Sequence, residues 1–115
     1  MADVTIYHNP KCSKSRQTLA LLKEQDKEPT IVEYLKKPPS ESDLKRILGQ
    51  LGIEPAQLIR KKEWKEDVGQ DIKTMGGDEI VKQMAAHPRV IERPIVISGD
   101  QARLGRPPEQ VLEIL

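Results

Sequence analysis

The chain of 115 residues carries one cysteine, Cys12, in the stretch HNPKCSKSR at residues 8–16. A single thiol forms no internal disulfide, and without a second cysteine or a histidine cluster it builds no tetrahedral zinc site, so no metal is expected. What remains is nucleophilic or redox chemistry in which the second thiol belongs to another molecule. Ser15 stands where a C-x-x-C motif would place its second sulfur. Its hydroxyl can donate a hydrogen bond to the Cys12 sulfur but closes no bond to it, which makes the motif C-x-x-S and the chemistry monothiol. His8, four residues ahead of the cysteine, admits three roles on local sequence alone. It could favour the thiolate as an imidazolium, relay its proton, or merely fill space at a strand end. Asn9 is suited to hydrogen-bonding the intervening loop into shape, and Pro10 to ending the strand.

A lone cysteine is most often simply buried; here its position argues otherwise. Residues 3–7 read as a short apolar strand, and Leu19, Leu21 and Leu22 mark a helix after Ser13 that buries one side. Cys12 falls at the junction. There the free amides of the first helical turn, the positive end of the helix dipole and the cations Lys14 and Arg16 all favour a thiolate. Thiols so placed ionise at a pKa of roughly 3.5–7.5, against about 8.5 for a free one.

The remaining elements complete a layout. TIVEYL at residues 30–35 is β-branched and aromatic and reads as a second strand, giving a β-α-β opening with parallel neighbours. Ser40 with Asp43 resembles a capping box for a helix through Leu44, Ile47, Leu48 and Leu51, stopped by Gly52. Pro55 starts a short helix through Leu58 and Ile59, and Asp78 caps another that ends before Pro88. The intervening RKKEWKEDVGQDIKTMGG reads as a mobile surface segment with Trp64 half-buried, and His87 as a helix-end residue. A strand from Ile95 to Ser98, a Gly99-Asp100 turn, a strand through Leu104 and a helix from near Pro107 close the chain. The expectation is one domain over residues 1–115 with a thioredoxin-like α/β fold and mixed sheet: β-α-β, a helical insert at about 38–88, then β-β-α.

In that fold the X-Pro bond before the third strand is characteristically cis and abuts the active-site cysteine. Pro94 occupies that place, which brings Arg93 beside Cys12. Arg60 ends a short helical turn, and Arg106 precedes Pro107. Three guanidiniums converging on a thiolate would bind a tetrahedral oxyanion, because each offers a planar fork of donors and stays charged. Phosphate and arsenate both fit.

Composition removes other classes. Nineteen Lys and Arg against 18 Asp and Glu leave the field nearly neutral, which excludes nucleic-acid binding through bulk charge. No apolar run approaches the ~18 residues of a membrane span, and the start of the chain lacks a secretory layout. The expectation is a cytoplasmic protein that engages neither membrane nor nucleic acid.

The blocks TIYHNPKCSKSRQTL, EYLKKPPS, LIRKKE, HPRVIERPIVI and ARLGRPPEQVLEIL, in this order, resemble the glutathione- and glutaredoxin-dependent arsenate reductases of bacteria, and most closely a short branch of that family. The resemblance implies that Cys12 is the nucleophile, that His8 and Ser15 tune it, and that Arg60, Arg93 and Arg106 bind arsenate; Asn9 and Pro94 are expected as supporting residues on their positions. It implies no bound cofactor, glutathione as co-substrate and glutaredoxin as the partner that resolves the adduct. Related thioredoxin-like proteins act as RNA-polymerase-binding stress regulators, or as thiol oxidoreductases on other oxidised substrates. These remain the alternatives to arsenate chemistry.

Overall fold

The computed structural model describes residues 4–115. The chain gathers into two compact units, one made of residues up to Lys37 together with Arg93–Leu115, the other of Pro38–Glu92.

The first unit is built on a four-stranded sheet in the order β2-β1-β3-β4. β1 (Val4–Tyr7) runs parallel to β2 (Thr30–Val32) and antiparallel to β3 (Ile95–Ser98), which pairs antiparallel with β4 (Gln101–Leu104). Helix α1 (Ser13–Glu24) connects the parallel pair. This is the thioredoxin-like α/β layout. Position 3 of the expected first strand, Asp3, lies outside the described residues. Val4, Ile6, Leu22, Val96, Val111 and Ile114 form one buried cluster, with Leu19, Leu21 and Leu115 packed on it. Each such side chain contributes about 1.5–3 kcal/mol by leaving water.

Two elements of this unit differ from the sequence expectation. β2 stops at Val32 rather than Leu35: His8 N–H donates to the Val32 carbonyl at 2.8 Å, while the next carbonyl, that of Glu33, accepts from Lys36 N–H and closes a turn. The C-terminal element is a 3-10 helix, Pro108–Ile114. Its buried residues Pro108, Val111 and Ile114 recur every third position, the period of a 3-10 helix, in which residues at i and i+3 eclipse.

The second unit is helical: α2 (Glu41–Leu51), α3 (Lys61–Asp67) and α4 (Gly77–Ala86), with 3-10 turns at Pro55–Leu58, Ile72–Thr74 and Pro88–Val90. Ser40 caps α2 with a full capping box. Asp43 N–H donates to Ser40 Oγ at 3.0 Å, and Ser40 N–H to Asp43 Oδ2 at 3.2 Å. Gly52 ends the helix at φ 70°, a left-handed conformation that glycine adopts without a Cβ penalty. The residue capping α4 is Gly76, with Asp78 inside the first turn, where a carboxylate still complements the dipole. The segment expected to be a mobile surface contains α3 instead. Trp64 is buried there rather than half-buried, and its Nε1–H donates to the Gln70 carbonyl at 2.7 Å.

Candidate active site

Cys12 is the N-cap residue of α1, in extended conformation (φ −95°, ψ 124°), with its carbonyl accepting from Arg16 N–H at 3.0 Å. No acidic residue lies in the first turn, so nothing there neutralises the positive helix end. The loop entering the helix is fixed by Asn9 through both ends of the residue. Its carbonyl accepts from Cys12 N–H and its Oδ1 from Lys11 N–H, each at 3.0 Å. Asn9 therefore shapes the loop as its sequence position suggests.

Cys12 is 9% exposed, at the mouth of the helix. Burial is the largest single influence on it and pushes its pKa up. The Ser15 backbone amide, the hydrogen bond and charge of Arg93, and the Lys14 amide together outweigh burial, and the thiol ends below its ordinary value. Arg106 lies beside the same sulfur, with Nη2 3.8 Å from Cys12 Sγ while Nε donates to the Arg93 carbonyl at 2.8 Å. Two of the three arginines singled out in the sequence therefore meet at the thiol. Pro94, after a cis Arg93–Pro94 bond, is buried, and its carbonyl accepts from Gly105 N–H at 2.9 Å. The Arg106–Pro107 bond is also cis.

Ser15 and His8 act differently from the sequence expectation. The Ser15 hydroxyl, fully buried, lies 2.6 Å from His8 Nδ1 and accepts from Asn9 N–H at 3.0 Å. What Ser15 gives the sulfur is its backbone amide. His8 is 6% exposed. Burial, the dominant cause, lowers its pKa; Glu33 opposes this and Lys23 adds to it. Burial thus disfavours the imidazolium form, and the bond to Ser15 suits a ring that anchors the loop or relays a proton.

Arg60 belongs to the second unit, as the residue before α3. Antiparallel pairing of Ile59 with Ile91 sets it there: Arg60 N–H donates to the Val90 carbonyl, and Glu92 N–H to the Leu58 carbonyl, both at 2.7 Å. Its guanidinium binds Glu63 through Nε at 2.5 Å and Glu92 through Nη1 at 2.8 Å. Burial lowers its pKa and the two carboxylates more than reverse that. Sequence reasoning passed over both acids. Glu63 is signalled by its i, i+3 spacing from Arg60, whereas Glu92 is 32 residues away and carries no local signal.

Among the described residues no group of three or more His, Cys, Asp or Glu side chains could hold a metal ion, and no helix is long and apolar enough to cross a membrane.

The ArsC family model matches residues 7–114. The chain belongs to the ArsC family. An arsenate reductase of Haemophilus influenzae is 48% identical over 97% of this chain and 98% of its own. Among solved structures, a putative arsenate reductase from Yersinia pestis superposes with a TM-score of 0.92 at 52% identity, covering 97% of this chain and all of that one. An arsenate reductase from Vibrio cholerae gives the same score and identity over 99% and 98% of the two chains. An Escherichia coli arsenate reductase, 41% identical, aligns over 100% of this chain and 82% of its own length. In ArsC-family terms, the matched segment contains Cys12, His8, Ser15, Arg60, Arg93 and Arg106.

Proposed function

We propose that the protein is an arsenate reductase in which Cys12 is the nucleophile and Arg93 and Arg106 bind the oxyanion, with Arg60 added as a ligand on the family resemblance alone. The observation that carries this reading is the Arg106 guanidinium 3.8 Å from a thiol whose pKa Arg93 lowers. A thiolate and an arsenate dianion repel. Fixed guanidiniums offset that repulsion in the ground state and as charge redistributes in the transition state. Relatives named as arsenate reductases, at 40–48% identity, favour arsenate over other oxyanions.

In this mechanism the Cys12 thiolate forms a bond to arsenic, and one oxygen leaves as water after taking up protons. The thiolate of glutathione displaces a second oxygen in the same way. The arsenic must then gain two electrons, and the chain has no second cysteine to supply them. An external thiolate, assigned here to glutaredoxin, attacks the glutathione sulfur. The new S–S bond forms as the S–As bond breaks, and its electron pair stays on arsenic, which falls from As(V) to As(III). Water then replaces the Cys12 sulfur, releasing arsenite and the free thiolate. His8 holds Ser15 and the loop through these steps. A glutathione-dependent cycle places the protein in the cytoplasm, where thiols are kept reduced.

The test is arsenite formation from arsenate with glutathione and glutaredoxin, measured beside Cys12→Ser and Arg93→Ala. Turnover no greater than that of Cys12→Ser ends the reductase reading. Turnover with thioredoxin replacing glutathione and glutaredoxin keeps the reductase but overturns the donor.

A further inference from the structure

We infer that Gly105 is a positioning residue for the Arg106 guanidinium, and that its lack of a side chain sets the distance between Arg106 and Cys12. This rests on the reading of Arg106 as an oxyanion ligand. Gly105 is buried at the exit of β4, and its φ is not among the positive values that favour glycine. Conformation therefore does not require glycine here; space does. A Cβ at this position would collide with Thr18 Oγ1, lie 2.7 Å from Pro94 Cγ and 3.1 Å from Thr18 Cγ2, where real Cβ atoms essentially never come within 3.0 Å.

Neither neighbour can give way freely. Thr18 is fully buried on α1, six residues beyond Cys12, and its hydroxyl donates to the Lys14 carbonyl at 2.8 Å. Pro94 is buried at the entry to β3. The main chain at 105 is thus pressed against the helix that carries the thiol and against the residue that follows Arg93. Two hydrogen bonds depend on that contact: Gly105 N–H to the Pro94 carbonyl at 2.9 Å, and Arg106 Nε–H to the Arg93 carbonyl at 2.8 Å. With Nε held, the same guanidinium can direct Nη2 at the sulfur. A methyl group at 105 would push this segment off Thr18 and Pro94 and carry Arg106 with it.

The experiment compares wild type with Gly105→Ala by two readouts. The first is solvent exchange of the Arg106 Nε–H proton by NMR, which reports the bond to the Arg93 carbonyl directly. The second is protection of Cys12 from iodoacetamide by inorganic phosphate. We expect exchange at least tenfold faster and phosphate affinity reduced about tenfold in the variant. If only the melting temperature falls, with exchange and phosphate affinity unchanged, Gly105 is a packing residue and the inference is overturned. Should Gly105→Ala fail to fold, Thr18→Ala and Thr18→Ala/Gly105→Ala are compared instead. Removing Thr18 Oγ1 and Cγ2 leaves the Pro94 collision alone, and the same faster exchange is expected in the double variant. If phosphate protects wild type no better than chloride does, the oxyanion reading fails, while the exchange comparison still decides the role of Gly105.

Discussion

The Ser15 hydroxyl and His8 Nδ1 are 2.6 Å apart in the interior of the first unit, and the same hydroxyl accepts from Asn9 N–H. The serine of the C-x-x-S motif is thereby turned away from acting as the sulfur's side-chain donor and toward the loop that presents it. Activation of Cys12 falls to backbone amides and guanidiniums, groups that stay in place and need no proton transfer to act.

Ser15→Ala separates these roles. Deleting the hydroxyl leaves Asn9 N–H and His8 Nδ1 without their buried partner, at a cost of about 1–3 kcal/mol. Chemical denaturation should show that loss. The pH dependence of Cys12 alkylation should stay near wild type, because the Ser15 amide survives the substitution. A strong upward move of the alkylation midpoint would instead make the hydroxyl the activating group.

Arg93→Ala has the opposite signature. Arg93 lowers the thiol pKa through both a hydrogen bond and its charge, so its removal leaves burial less opposed and the midpoint of iodoacetamide alkylation moves up. Arsenate turnover should fall roughly 10²–10³-fold, the effect of removing one preorganised donor from developing charge. Arg93→Lys restores charge but not the planar fork, and should recover the thiol pKa better than it recovers turnover. Equal recovery of both would show that the fork is not used.

Where local chemistry decides an element, the sequence announces it. The Ser40–Asp43 capping box and Gly52 bound α2 by contacts spanning a few residues, and Ile95–Ser98 and Gln101–Leu104 flank a two-residue turn. The position of Cys12 at the head of α1 was legible in the same way. Elements decided by distant partners were not. α3 has seven residues and no apolar periodicity, and what marks it is the burial of Trp64. The end of β2 depends on where β1 stops. The partner of Ser15, the carboxylates around Arg60 and the fit of Gly105 against Thr18 all arise from tertiary placement that spacing does not encode.

The Arg60 site predicts coupling between two acids far apart in the chain. The side chains of Arg60, Glu63 and Glu92 are 24%, 12% and 23% exposed, so their hydrogen bonds are partly shielded from water. Glu92→Gln should destabilise the fold by about 1.5–3 kcal/mol, the range for hydrogen bonds to charged groups. Glu63→Gln should act similarly, and the double variant should cost more than the sum, because each single variant leaves the shared guanidinium one carboxylate and the double leaves it none. Strict additivity in urea denaturation would show that Arg60 is not a shared partner. The same variants read out the proposed ligand role: freed from its carboxylates, Arg60 is less fixed, so the KM for arsenate should rise.

Stability toward acid follows from His8. Its folded-state pKa is lowered chiefly by burial, while in the unfolded chain a histidine titrates at about 6.5. As pH falls through 6.5 toward the folded value, the unfolded chain takes up a proton that the folded protein resists, so the unfolding free energy declines across that window. Well above 6.5 neither state takes up the proton and the slope due to His8 fades. Urea denaturation between pH 5 and 8 should show this decline in wild type, and His8→Asn should flatten it, because the asparagine side chain does not titrate. Burial next to Ser15 makes any substitution at position 8 destabilising overall, so the slope with pH is the quantity to compare. An unchanged slope in His8→Asn would mean that His8 titrates alike in the folded and unfolded chains, and a wild-type stability that rises as pH falls, with the rise lost in His8→Asn, would reinstate the imidazolium beside the thiolate.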